Sequence, residues 1–178
     1  VSVRFSSPQE FWPAPPPDNL PPALTELPLN PDYTFEQFVV GPSNRLAHAA
    51  CMAVCNQLGM LYNPLFLHGA SGLGKTHVLQ ATCFAIQKTR PEARVVYLTC
   101  ETFVNDFVRA IGSGQWQPFR EALRRADLLA IDDVQFLANR ESSQEELFHT
   151  FNVLYQGRKQ IILTADSAPS DIPTLEDR

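Results

Sequence analysis

Gly69-Ala70-Ser71-Gly72-Leu73-Gly74-Lys75-Thr76 is the stretch on which the fold turns. It follows a short apolar run, Leu65-Phe66-Leu67-His68, and opens into a segment with helical spacing over 77–88. The order strand, glycine-rich turn, helix start forms a phosphate cradle. Glycines let the backbone curl so that its N–H groups point inward at an anion. The helix N-terminus adds partial positive charge. Lys75 can reach the outer phosphates, and the Thr76 hydroxyl can hold Mg²⁺. Every fixed position of G-x-x-x-x-G-K-T is filled, which argues against a chance glycine-rich turn.

Working outward, the flanking segments alternate in type. Phe35, Phe38, Val39 and Val40 form an apolar run ended by Gly41-Pro42. Ser43 or Asn44 can cap a helix running to about Leu58 and closed by Gly59, with Leu46, Ala50, Val54 and Leu58 on one face. The helix after the cradle has Val78, Leu79, Cys83, Phe84 and Ile86 as its apolar positions. Arg94-Val95-Val96-Tyr97-Leu98-Thr99 reads as a second strand. Residues 101–111 read as a helix on Phe103, Phe107 and Ile111, and 116–125 as a shorter one on Phe119 and Leu123. Asp127-Leu128-Leu129-Ala130-Ile131-Asp132-Asp133 is a third strand, whose unbroken apolar run suits burial on both faces of a parallel sheet. Ser142 or Ser143 then caps a helix to about Tyr155, with Glu145 and Glu146 in its first turn. Gln160-Ile161-Ile162-Leu163-Thr164-Ala165 is a fourth strand. The alternation implies an α/β fold, a parallel sheet with helices on both faces.

Asp132 and Asp133 end a strand, and ligands of open α/β sheets sit at strand carboxyl ends. One carboxylate can hold the Mg²⁺ shell while the other orients an attacking water. A solvated turn is the plainer reading of two such aspartates, and the cradle upstream weighs against it. Thr164 and Asp166 leave the fourth strand on the same edge, where a polar group can sense the terminal phosphate or simply end the strand.

Composition bounds the rest. The 178 residues fit one domain with a sizeable core. Nine of the fifteen prolines fall in residues 1–31, which read as a linker, with the folded unit at 32–178. The net charge of −5 argues against coating nucleic acid by bulk charge. Clusters at Arg120, Arg124 and Arg125, and at Arg158 and Lys159, read as solvated surface. Cys51, Cys55, Cys83 and Cys100 lack metal-ligand spacing and read as small apolar residues. No run is long enough to span a membrane and no secretory leader opens the chain, so a cytoplasmic setting is expected.

Several stretches resemble, in order, the ATPase domain of the DnaA family of bacterial chromosomal replication initiators. They are Asn30-Pro31-Asp32-Tyr33-Thr34-Phe35-Glu36-Gln37-Phe38-Val39-Val40-Gly41, Tyr62-Asn63-Pro64-Leu65-Phe66-Leu67-His68-Gly69, Ile131-Asp132-Asp133-Val134-Gln135-Phe136-Leu137 and Ile172-Pro173-Thr174-Leu175-Glu176-Asp177-Arg178. The resemblance implies a P-loop NTPase of AAA+ type that binds ATP or ADP with Mg²⁺ and hydrolyses ATP slowly. It implies nucleotide contacts from Phe38, Val39, Val40, Asn44, Gly69, Ser71, Gly72, Leu73, Gly74, Lys75, Thr76 and His77. Thr76 and Asp132 would serve the metal, Asp133 would activate water, and Asp166 would be the first sensor. Residues 101–125 match the helical insertion of initiators. Val108, and separately Arg140, Ser142 and Ser143, fall where that family touches single-stranded DNA, although periodicity alone also allows Val108 to be core.

The same resemblance implies origin DNA, a self-oligomer and a replicative helicase as partners of a longer protein. The sequence stops at Arg178, short of the family's arginine finger, fifth strand, lid and helix-turn-helix. A fragment whose phosphate-loop strand is left at a sheet edge is therefore expected. A related loader or regulator, or a binding module without efficient hydrolysis, stands as the alternative.

Overall fold

The computed structural model describes residues 24–138 and 140–168. The proline-rich stretch around Pro13–Pro17 and the closing residues 172–178 lie outside them. The elements in chain order are α1 (Arg45–Asn56), β1 (Leu65–His68), α2 (Lys75–Thr89), β2 (Val95–Thr99), α3 (Cys100–Gly112), α4 (Trp116–Arg124), β3 (Leu128–Asp132), a 3-10 turn (Val134–Leu137), α5 (Glu141–Gln156) and β4 (Gln160–Ala165).

The strands form one parallel sheet in the order β1-β4-β3-β2. Register places Thr99 beside Asp132 and His68 beside Ala165, so the carboxyl ends share one rim. Alternate strand residues feed two cores. Val96, Leu98, Leu129 and Ile131 pack with α3, α4 and α5 through Phe103, Phe119 and Leu154. Val95, Tyr97, Leu128, Ala130 and Ile162 pack with α1 and α2 through Val54, Val78, Leu79 and Ile86. Burial on both faces explains the unbroken apolar runs of β3 and β4. Cys51, Cys83 and Cys100 are buried, and burial pushes the Cys51 thiol up to about 11, so they serve as inert packing. Among the described residues no helix is long and apolar enough to cross a membrane.

The structure corrects several local expectations. Phe84 and Ile111 face outward, 37% and 55% exposed, while Val104 and Ala110 complete the buried stripe of α3. Asn44 precedes α1 but gives the helix no side-chain cap. Its amide turns back instead, accepting from Gly41 N at 2.8 Å and donating to Val39 O at 3.1 Å. Ser142 and Ser143 do not cap α5; Arg140 precedes the helix and both serines sit inside its first turn. Glu146 lies a turn further in and is buried against Arg120, so it serves an ion pair and not the helix dipole.

Both sheet edges are informative. Among the described residues β1 pairs with β4 alone and forms one edge. At the other edge a strap of residues 24–30 runs beside β2, with Leu27 N donating to Tyr97 O at 3.3 Å. Covering an edge in this way removes unpaired backbone groups from solvent. Leu24 enters the core under α3, whereas Leu27 and Leu29 pack against the core under α2, so the strap ties both faces. The Asp106 carboxylate holds it, accepting from Thr25 N at 2.6 Å and Thr25 Oγ1 at 2.9 Å.

Candidate functional site

The cradle lies where β1 reaches the rim. Gly72 and Gly74 have φ of 83° and 88°, a left-handed conformation that L side chains rarely adopt. Gly74 is doubly constrained, because a Cβ there would stand 2.7 Å from Phe38 Cε2. The turn delivers Lys75 and Thr76 to the start of α2. Lys75 Nζ donates to Gly69 O at 2.7 Å and to Ala70 O at 3.0 Å, and lies 2.7 Å from Asp166 Oδ1.

A cavity of about 430 Å³ gathers residues that are far apart in the chain. Ser71, Gly72, Gly74, Lys75, Thr76 and His77 form one wall; Asp133, Gln135, Phe136 and Asp166 form the other; Tyr33 joins them. His77 is held by Thr34 O at 2.8 Å and stacks on Tyr33 with centroids 4.7 Å apart. A second, more apolar cavity of about 340 Å³ adjoins the first through Gly74 and Lys75. Phe38, Asn44, Leu73 and Val78 line it, and such an apolar lining with one side-chain amide suits a heteroaromatic group. Val39 and Val40 line neither cavity; they are 83% and 51% exposed.

The two aspartates differ sharply. Asp132 is 2% exposed and does not line the cavity. One of its oxygens accepts from the Thr164 hydroxyl and the other lies 3.5 Å from Tyr97 Oη. Asp133 has φ of 60° and turns its carboxylate into the cavity. Thr164 Oγ1 accepts from Asp133 N at 3.0 Å, so one hydroxyl braces both aspartates. Gln135 Nε2 donates to Asp133 Oδ1 at 3.2 Å, and its Oε1 accepts from Asp166 N at 3.3 Å. Burial raises the Asp133 carboxyl above its ordinary range; Gln135 opposes this, the Asp132 and Asp166 carboxylates add to it, and Lys75 opposes. Sequence alone does not single out Gln135 and Tyr33 as site residues, because a glutamine after a strand and a tyrosine among turns carry no distinctive spacing.

A separate surface gathers the other group. Val108 is 60% exposed, which rules out the core reading. It lines a cavity of about 520 Å³ with Ile111, Arg140, Ser142 and Ser143, although Ser143 itself is only 5% exposed. The two sequence-distant stretches thus meet on one face. Arg120 and Arg125 are not part of a basic patch: Arg120 pairs with buried Glu146 at 2.9 Å and Arg125 with Glu121 at 3.0 Å.

A family model described as "Bacterial DnaA ATPAse domain" matches residues 29–178. The chain belongs to the bacterial DnaA ATPase-domain family. The chromosomal replication initiator protein DnaA of Deinococcus deserti is 53% identical over 158 residues, covering 89% of this chain and 35% of that protein. Domain III of the Thermotoga maritima replication initiation protein DnaA is 48% identical with a TM-score of 0.79, over 82% of this chain and 61% of that one. A replication initiator DnaA bound to AMPPCP and single-stranded DNA is 44% identical with a TM-score of 0.78, over 82% of this chain and 45% of that one. The chain spans about a third of the length of the curated DnaA relatives it matches.

Proposed function

We propose that this chain is the nucleotide-binding part of a replication initiator ATPase that assembles on origin DNA and promotes duplex opening. The observation that carries the reading is the convergence of Lys75, Thr76, Asp133 and Asp166 on one cavity at the strand carboxyl ends. In it, ATP or ADP places its phosphates on the N–H groups of residues 69–76, and its base enters the apolar cavity beside Phe38, Asn44 and Leu73. Ser71, Gly72, Gly74 and His77 complete the wall. Val39 and Val40 act from outside, through the backbone that Asn44 pins.

Mg²⁺ fits the donors present: the Thr76 hydroxyl and the carboxylates are hard oxygens, and phosphate oxygens and water commonly complete such a shell. When bound, the cation neutralises charge that develops on the phosphates. Thr76 and Asp132 would hold the cation, with Asp132 buried and braced by Thr164. Asp133 faces the cavity and takes the proton of an attacking water, and its raised affinity for protons suits a base. Asp166 holds Lys75 until phosphate draws the ammonium away. Among the described residues Lys75 is the one lysine or arginine lining this cavity, and slow turnover is part of this reading.

Val108, Arg140, Ser142 and Ser143 hold single-stranded DNA by apolar contact, one cation and the start of α5. In the longer protein the partners are origin DNA, further copies of itself and the replicative helicase, in the cytoplasm; residues N-terminal of the strap tether the domain. Phosphate release, measured with and without single-stranded DNA, tests the reading. Slow turnover that Asp133→Asn abolishes is expected; turnover untouched by that substitution contradicts it.

A further inference from the structure

A directional chain of hydrogen bonds runs from the strap to Asp132 outside the cavity. The Asn30 backbone N–H donates to Gln80 Oε1 at 2.8 Å. This orients the amide so that Gln80 Nε2 donates to Tyr97 Oη at 2.9 Å. With that donor on the phenol oxygen, the phenol is free to donate toward Asp132 Oδ2, a long contact at 3.5 Å. Gln80, Tyr97 and Asp132 are 7%, 6% and 2% exposed, so the chain is shielded from water. The remaining Asp132 oxygen takes the Thr164 hydroxyl, so each oxygen has one protein partner and keeps acceptor capacity for a further ligand. Packing alone does not call for these groups. Val95, Val96 and Leu98 make the buried part of β2 otherwise apolar, and a buried amide and phenol are costly unless satisfied.

We propose that Gln80 and Tyr97 are positioning residues that aim the Asp132 carboxylate at the cation site beside Thr76, with the strap backbone at Asn30 setting the first link. The inference rests on the reading of Asp132 as a Mg²⁺ partner. Groups that orient a metal's carboxylate partners from behind typically change metal affinity by about 10- to 100-fold when removed.

The test is the Mg²⁺ concentration at half-maximal tightening of a fluorescent ATP analogue on the 178-residue chain. Tyr97→Phe should leave affinity in excess chelator unchanged and raise the Mg²⁺ midpoint roughly tenfold. Gln80→Met should move it in the same direction by less. In an Asp132→Asn background Tyr97→Phe should add nothing, which a merely structural role would not produce. A folded Tyr97→Phe protein with the wild-type midpoint, or an equal shift in the Asp132→Asn background, overturns the inference. If Tyr97→Phe fails to fold, Gln80→Met decides by the same outcomes. Wild-type binding that ignores Mg²⁺ overturns the reading of Asp132 and this inference with it. A Mg²⁺-dependent wild type with unmoved variants overturns the inference alone.

Discussion

The Lys75 ammonium sits 2.7 Å from Asp166 Oδ1, so the residue that should grip phosphate is paired with a carboxylate just past the end of β4. Asp166 is 47% exposed, which limits such a pair to about 0–1 kcal/mol. The pair is therefore weak enough for a phosphate to displace. Asp166→Asn should tighten ADP binding by up to roughly fivefold, the equivalent of that energy, while slowing hydrolysis. Calorimetric titration checks the first effect and phosphate release the second; weaker ADP binding would contradict the displacement.

Asp133 links the site to pH. Its folded carboxyl is raised, chiefly by burial, above the unfolded value near about 4. Its contribution to stability is therefore fully present below that unfolded value and is lost as pH rises through the raised folded one. Asp133→Asn should melt higher than wild type near neutral pH without nucleotide. The gap should close as pH falls toward about 4. Melting curves across that range decide, and a gap that widens on acidification would be the wrong sign.

Arg120 and Glu146 join α4 to α5 through a two-pronged pair, with Nε and Nη2 on the carboxylate at 2.9–3.1 Å. Glu146 is 1% exposed at its side chain, and Thr150 Oγ1 also donates to it. Glu146→Ala leaves the partly exposed Arg120 without its buried partner and should cost about 1.5–3 kcal/mol in urea unfolding. A loss below about 1 kcal/mol would place the pair among weak surface contacts.

These examples show what was legible in sequence. The cradle, the strands and the rim aspartates were, because glycine spacing, apolar runs and strand-end carboxylates are local signals. Glu146 was read as a first-turn acid, since its partner Arg120 is 26 residues away and no local pattern announces it. In sequence the strap reads as linker because nine prolines in residues 1–31 outweigh Leu24, Leu27 and Leu29, whose burial depends on a sheet edge formed much later in the chain. Val108 was ambiguous for a related reason: the α3 face that turns outward is decided by where α4 packs. Ile111 turns outward because a four-residue spacing does not say which flank of a helix is covered, and Phe84 because an apolar residue at the margin of a stripe need not be buried.

Val108 and Arg140 share one cavity wall, so both should matter for single-stranded DNA. Val108→Ser should weaken binding with an unchanged salt dependence. Arg140→Ala should weaken it and reduce the slope of log affinity against log salt by about 0.7, one phosphate's worth. Fluorescence anisotropy at several salt concentrations separates the two; an unchanged slope for Arg140→Ala would remove that residue from the phosphate path.

The central claim is that the loop from Gly69 to Thr76 binds nucleotide phosphate through Lys75. Titrating ATP into wild-type and Lys75→Ala protein, with equal folding verified by circular dichroism, tests it most directly. The account predicts a loss of affinity of at least about tenfold, the lower end for a hydrogen bond to a charged group. ATP binding equally tight in both proteins would contradict it.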